Sequence, residues 1–294
     1  MSITTGDFRQ RITVQSLAEK KLKHELIVSL TAYDYATARI ADEAGVDFIL
    51  VGDSLAQVVL GYASTLPVTM DEMVHHTRIV RRGVRHAFLV ADMPFGAYHT
   101  GTRTELENAV RFVKEGGAEA VKIEGGSSRV PLVRRIIDAE IPVVGHIGLT
   151  PQSVHRMGGY KVQGKTTETI DTLLRDAIAL DKAGVAALVL EGIPREVAIR
   201  ITAEVATPTI GIGAGPDCDG QILVFHDLVG LTFTPPAKFV RRYCNAGELI
   251  TGAIQAYRDD VRSGAFPADA ECYHLPRKKP VLTEAIETPA LQQK

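Results

Sequence analysis

One feature constrains this chain most: an alternation repeated along its 294 residues of a short apolar, β-branched run, a polar or charged residue, a Gly or Pro, and a longer helix-like stretch. Such alternation reads as consecutive βα units. The predicted strands are Ile27 to Thr31, Phe48 to Val51, Phe88 to Asp92, Ala120 to Ile123, Val143 to His146, Ala187 to Glu191, Thr209 to Ile212 and Leu228 to Phe233. A doubly wound open sheet alternates in the same way, so the count of eight decides for a closed (β/α)8 barrel.

Between the strands the patterning predicts helices over Asp34 to Ala44, Asp71 to Arg82, Arg103 to Glu115, Val130 to Asp138, Glu168 to Ala183 and Pro194 to Glu204. Several run into a glycine, at Gly45, Gly116-Gly117 and Gly184, which suits a left-handed helix cap. A barrel commonly occupies about 250 residues, so one domain with extensions accommodates the chain. The expected organisation is a single barrel over residues 1–275, then a flexible tail over 276–294. The barrel domain includes a short amphipathic N-terminal extension around Val14 to Lys21 and a closing C-terminal helix within Lys238 to Val261. The tail is rich in Lys, Pro and Gln.

Composition removes several function classes. Hydrophobic residues make up 45% and charged residues 23%, as in a globular protein with a large core. A formal charge of −2 with dispersed Lys and Arg gives no reason to expect a nucleic acid or an anionic membrane as partner. No apolar run approaches the roughly 20 residues of a membrane span. The three cysteines, Cys218, Cys244 and Cys272, form no short pair, so a reducing, cytoplasmic compartment is expected.

In a barrel the active site lies at the carboxyl ends of the strands. Five successive strands place charged or titratable residues there: Asp53 after the second, Asp92 on the third, Lys122 and Glu124 on the fourth, His146 on the fifth and Glu191 on the sixth. Each has an ordinary structural explanation when taken singly. Asp53 and Asp92 suit turns or caps, Lys122 and Glu124 an ion pair across the barrel, His146 a hydrogen-bonded core position, and Glu191 the cap of the helix that follows Pro194. Five such accidents at the same end are a weaker account than one shared site.

Carboxylates with an open face suit a hard cation such as Mg²⁺, so Asp53, Asp92 and Glu124 are the candidate metal ligands. The absence of H-x-x-x-H and C-x-x-C motifs disfavours a zinc cage. A cation there would polarise a carbonyl and stabilise an enolate, Lys122 would add positive charge toward an anionic substrate, and Glu191 remains as the candidate base. The run Gly211 to Gly215 after the seventh strand reads either as a phosphate-binding loop or as a tight turn.

At these residues the chain resembles the ketopantoate hydroxymethyltransferase family, over approximately Ile27 to Tyr273. The matching motifs are L-T-A-Y-D at Leu30 to Asp34, V-G-D-S-L at Val51 to Leu55, S-T-L-P-V-T at Ser64 to Thr69 and V-K-I-E-G-G at Val121 to Gly126. G-H-I-G-L-T-P-Q-S at Gly145 to Ser153, and G-I-G-A-G with D-G-Q-I-L from Gly211 to Leu223, complete the set. The resemblance implies a TIM barrel of the phosphoenolpyruvate/pyruvate-like type holding a 2-oxo acid on one Mg²⁺ per subunit. It implies metal-binding roles for Asp53, Asp92 and Glu124, substrate contacts for Asp53, Ser54, Asp92 and Lys122, and the proton acceptor in Glu191. His146 is given a supporting polar role.

The implied reaction transfers a hydroxymethyl group from the co-substrate 5,10-methylenetetrahydrofolate to 3-methyl-2-oxobutanoate, giving 2-dehydropantoate as the first committed step of pantothenate biosynthesis. The resemblance also implies a homo-oligomer, a homodecamer, and favours the turn over the phosphate loop at Gly211 to Gly215. Two competitors stand beside this reading. A Mg²⁺-dependent carbon–carbon lyase or mutase of the isocitrate lyase kind would carry a reactive Cys in a mobile loop, and no Cys precedes Cys218. A non-catalytic barrel scaffold would not need charges at five strand ends.

Overall fold

The computed structural model describes residues 9–276. Its strands are β1 (Ile27–Thr31), β2 (Phe48–Val51), β3 (Phe88–Asp92), β4 (Ala120–Glu124), β5 (Val143–Gly148), β6 (Ala187–Glu191), β7 (Thr209–Ile212) and β8 (Gly220–Leu223). They pair in sequence order, all parallel, and β8 closes on β1. The helices are α1 (Val14–Leu22), α2 (Tyr35–Glu43), α3 (Leu55–Val58), α4 (Met70–Gly83), α5 (Thr102–Arg111) and α6 (Val130–Asp138). They continue with α7 (Val154–Met157), α8 (Thr167–Ala183), α9 (Arg195–Glu204), α10 (Phe225–Val229) and α11 (Ala246–Ser263).

The eighth predicted strand is corrected. Leu228 to Phe233 is the end of α10 and the loop beyond it, and the helix stops at Gly230, whose φ is 73°. The strand that closes the barrel is Gly220–Leu223, in which only Ile222 and Leu223 are apolar. A Cβ on Gly220 would stand 2.4 Å from the Ile27 carbonyl oxygen, so only glycine allows this approach to β1. The helix predicted over Arg103 to Glu115 is α5 followed by a π turn, Phe112–Gly116. Caps occur as expected at Gly45, Gly117 and Gly184, with φ of 87°, 74° and 89°.

Strand alternation puts Phe88, Val90 and Asp92, then Ala120, Lys122 and Glu124, on the same side of the sheet, and likewise Val144 with His146 and Ala187 with Val189 and Glu191. The apolar members of these rows pack with Ile27, Phe48, Leu50, Ile210 and Ile222 into a cluster inside the barrel, capped by Leu17 of α1. The opposite faces pack under the helices in a larger cluster that includes Ile49, Leu89, Val121, Leu188, Leu180 and Ile201. Apart from Ser29 in β1, the inward side chains are apolar in the amino-terminal part of each strand and those that are polar lie toward its carboxyl end, and this fixes where chemistry sits.

By contact the chain divides into a barrel unit, Met1–Gly247, and a second unit, Glu248–Lys294, which holds most of α11 and the 3-10 turn Asp269–Glu271. The helix predicted within Lys238 to Val261 starts at Ala246. The predicted tail lies outside the described residues except for Pro276. Among the described residues no helix is long and apolar enough to cross a membrane.

Candidate active site

All six charged or titratable strand-end residues line one cavity of about 960 Å³ at the carboxyl end of the barrel, together with Ser54. Five of them are almost completely buried; Glu191, with its side chain 16% exposed, is the most open. Lys122 is the centre of the charge network. Its Nζ stands 2.8 Å from Asp92 Oδ2, 3.9 Å from Glu124 Oε1 and 3.2 Å from His146 Nδ1. His146 reaches in two directions, with Nδ1 3.5 Å from Glu124 Oε1 and Nε2 3.2 Å from Glu191 Oε2. The Nε2 contact is close without the alignment of a hydrogen bond.

The carboxylates are held from one side. The backbone N–H of Asp53 donates to Asp92 Oδ2 at 3.2 Å, and the Gln152 amide donates to Asp53 Oδ2 at 3.0 Å. The Gln152 backbone N–H donates to Glu124 Oε2, also at 3.0 Å. Among the described residues the second oxygens, Asp92 Oδ1 and Glu124 Oε1, are buried without a hydrogen-bond partner. Buried acceptors left in that state cost about 1–3 kcal/mol each, so this pattern calls for an external cation or donor.

The titration behaviour agrees. Burial, reinforced by the charges of Asp92 and Glu124, pushes the Asp53 carboxyl well above the usual carboxylate range, against the pull of Lys122 and Gln152. Burial also raises Asp92, against Lys122. Burial alone would raise Glu124 as well, but His146, Lys122 and the Gln152 N–H outweigh it and bring this group down. Burial would lower Lys122; Asp92, Glu124 and Asp53 reverse this and keep it protonated. Burial and Lys122 work against a charged His146, yet Glu124 and Glu191 push it up to about 9.

Four carboxylates face two basic groups, so with every one of them ionised and both bases protonated the mouth would carry two uncompensated negative charges, the excess that, after burial, raises Asp53 and Asp92. A divalent cation would match that excess, and the oxygens that accept no hydrogen bond, Asp92 Oδ1 and Glu124 Oε1, are hard donors for it. Among the described residues no group of three or more His, Cys, Asp or Glu side chains is gathered closely enough to hold a metal ion. The carboxylate oxygens are hard donors, and a cation held by fewer than three of these side chains would need water or substrate oxygens in its remaining positions, as Mg²⁺ commonly has.

Three residues of the site have no functional signal of their own in the sequence. Gln152 and Tyr33 lie within motifs that single out no role for them, and Tyr98, which donates to Gln152 Oε1 at 2.6 Å, lies in the loop after β3. Tyr33, fully buried, hydrogen-bonds Ser54 through its hydroxyl at 2.8 Å and so orients a predicted substrate contact. His146 is more central than a supporting role suggests, since it bridges the Lys122 network to Glu191. At the Gly211 to Gly215 run, a Cβ on Gly213, whose φ is 63°, would stand 2.7 Å from the Phe239 ring. The glycine is required there for a turn and a close aromatic contact, which accords with the turn reading.

A family model described as ketopantoate hydroxymethyltransferase matches residues 11–269. A 3-methyl-2-oxobutanoate hydroxymethyltransferase from Koribacter versatilis is 70% identical over 98% of this chain and 97% of its own. One from Syntrophomonas wolfei is 55% identical over 90% and 96%. Among solved structures, a 2,3-dimethylmalate lyase of the PEP mutase/isocitrate lyase superfamily superposes with a TM-score of 0.57 at 19% identity, covering 88% of this chain and 91% of the other. A phosphonopyruvate hydrolase, solved as a complex with oxalate and Mg²⁺, gives 0.57 at 13% identity over 90% and 92%. The lyase and the hydrolase share the closed (β/α)8 TIM-barrel fold; the sequence itself sides with the transferases.

Proposed function

Because the chain belongs to the ketopantoate hydroxymethyltransferase family, and is on that account a transferase enzyme, we propose that its charged mouth removes the C3 proton of 3-methyl-2-oxobutanoate and passes the resulting enolate to the one-carbon unit of 5,10-methylenetetrahydrofolate. The observation that carries this reading is the set of buried carboxylates whose outer oxygens lack partners at the mouth of the barrel. Asp53, Asp92 and Glu124 would hold Mg²⁺. When bound, the ion would supply Lewis-acid polarisation of the substrate ketone. That a barrel of the same fold was solved with oxalate and Mg²⁺ is in line with this assignment.

The remaining roles belong to the protein. Lys122, kept protonated by the carboxylates around it, offsets the negative charge of the substrate carboxylate and of the enolate oxygen. Ser54, oriented by Tyr33, offers a hydroxyl to the bound acid. Glu191 is the base: it is the carboxylate least enclosed by protein, it lines the same cavity, and it comes from β6 while the candidate metal carboxylates come from the ends of β2, β3 and β4. His146 stands beside it, with Nε2 3.2 Å from Glu191 Oε2. In the second half of the reaction both carbon–nitrogen bonds of the methylene carbon break, one as the enolate carbon bonds to it and the other as the oxygen of water bonds to it, and the two nitrogens released take up the C3 proton and a proton of that water. Water supplies the hydroxyl of 2-dehydropantoate, and tetrahydrofolate leaves.

A homo-oligomer in the cytoplasm, and a place at the first committed step of pantothenate synthesis, belong to the same reading and rest on family resemblance. The decisive experiment is hydrogen exchange in D₂O with 3-methyl-2-oxobutanoate and Mg²⁺. Exchange at C3 in the absence of any folate is the expected result, because the base and the charged mouth are complete without it. Exchange that requires folate would refute a separate enolisation step, and no exchange under either condition would sink the proposal.

A further inference from the structure

Gln152 has no role in the reaction as drawn, yet it hydrogen-bonds two of the mouth's carboxylates, Asp53 and Glu124. Pro151 opens a 3-10 turn, Pro151–Ser153, right after β5, and the first N–H groups of a helical turn have no partner within it. The N–H of Gln152 is spent on Glu124 Oε2 at 3.0 Å. Its side-chain amide reaches a second carboxylate: Nε2 donates to Asp53 Oδ2 at 3.0 Å and to the Met93 carbonyl at 2.9 Å. The amide oxygen accepts from the Tyr98 hydroxyl at 2.6 Å, and that hydroxyl accepts from the Glu124 N–H at 3.3 Å.

These partners leave the amide one orientation. Flipped, its oxygen would face both a carboxylate and a carbonyl, two repulsive contacts in a buried place. Gln152 is 5% exposed and Tyr98 1%, so water does not relax this demand. Asn is too short for the span, Glu would set an anion against Asp53, and Met would leave Asp53 Oδ2, the Met93 carbonyl and the Tyr98 hydroxyl unmatched.

We propose that Gln152, with its amide oriented by Tyr98, is a positioning residue for the cation-binding carboxylates, fixing one oxygen of Asp53 and one of Glu124 so that the other oxygen of each faces the mouth. This rests on the Mg²⁺ assignment made above. One residue from the loop after β5 thereby sets the relative placement of groups from the ends of β2 and β4. The side-chain arm acts on Asp53 and the backbone arm on Glu124, so side-chain variants release only the first.

The test uses the full chain and Mg²⁺ titrated calorimetrically into wild type, Gln152→Met and Tyr98→Phe without substrate. Outer partners of metal ligands are commonly worth 10–100-fold in affinity, so Gln152→Met should weaken Mg²⁺ binding on the order of tenfold or more. Tyr98→Phe, which leaves the amide in place but free to turn, should weaken it less. Turnover by Tyr98→Phe should recover at saturating Mg²⁺, with the KM for the oxo acid unchanged. A purely structural strut would lower the melting temperature and leave the affinity of the folded protein alone. Binding within twofold of wild type in Gln152→Met therefore overturns the inference while the metal assignment stands. Should that variant not fold, binding within twofold in Tyr98→Phe overturns it instead. A wild type that takes up no Mg²⁺ overturns both readings.

Discussion

The two ends of this barrel are built from the same residue types to opposite ends. At the amino end α1 closes the interior with Leu17, and the charges there are matched. Lys21 pairs with Asp219 at 2.9 Å and also donates to the carbonyls of Thr202 and Thr207. Asp219 accepts from the N–H and hydroxyl of Thr209, while Asp47 accepts from the Val28 N–H and pairs with Lys20 at 3.2 Å. At the carboxyl end carboxylates crowd against one lysine and one histidine, and among the described residues Asp92 Oδ1 and Glu124 Oε1 accept no hydrogen bond, the latter standing only at ion-pair distance from Lys122 and His146. Satisfied polar groups stabilise a fold, and unsatisfied ones held in place by their neighbours are available to a ligand.

The contrast yields predictions of decreasing size. The largest concerns the base: Glu191→Gln should lower C3 exchange roughly 10²–10⁴-fold, the usual worth of general base catalysis, with Mg²⁺ affinity nearly unaltered. Retained exchange would remove Glu191 from the role. At the other end, Leu17→Ala opens a cavity under α1 and should destabilise the fold by roughly 2–5 kcal/mol in denaturant titration. Turnover per folded molecule should not change; a fall in kcat would mean that the two ends are coupled.

The smallest effect has the opposite sign. Asp53 has a folded pKa above its unfolded value, so in the window between them the folded state binds more protons. Stability of the metal-free protein should then decline as pH rises through that window. Asp53→Asn removes the charge and keeps an acceptor for Gln152, so in EDTA it should equal wild type near pH 4 and exceed it near pH 8, by about 1–2 kcal/mol. Saturating Mg²⁺ should erase the difference by stabilising wild type alone. If Asp53→Asn is the less stable protein at pH 8 in EDTA, the crowding of charge is not a cost to the fold.

The sequence carried most of the barrel because seven strands announce themselves by local burial: each is apolar on both faces, as strands between a packed interior and a helix layer must be. The eighth could not be found that way. Gly220–Leu223 owes its place to backbone pairing with β1 and β7 and to a glycine that admits close approach, while the more apolar Leu228 to Phe233 serves α10 and its exit loop.

The same division runs through the site. That Asp53, Asp92, Lys122, Glu124, His146 and Glu191 belong together followed from strand period and from the rule that barrel chemistry gathers at carboxyl ends, both local properties of the chain. Which oxygen is held and which is free, how His146 bridges two carboxylates, and that Gln152 and Tyr98 brace the cluster were decided by tertiary structure alone. Those contacts join residues 22 to 99 positions apart. Hydrogen-bond satisfaction is a property of assembled neighbours, and no spacing along the chain encodes it.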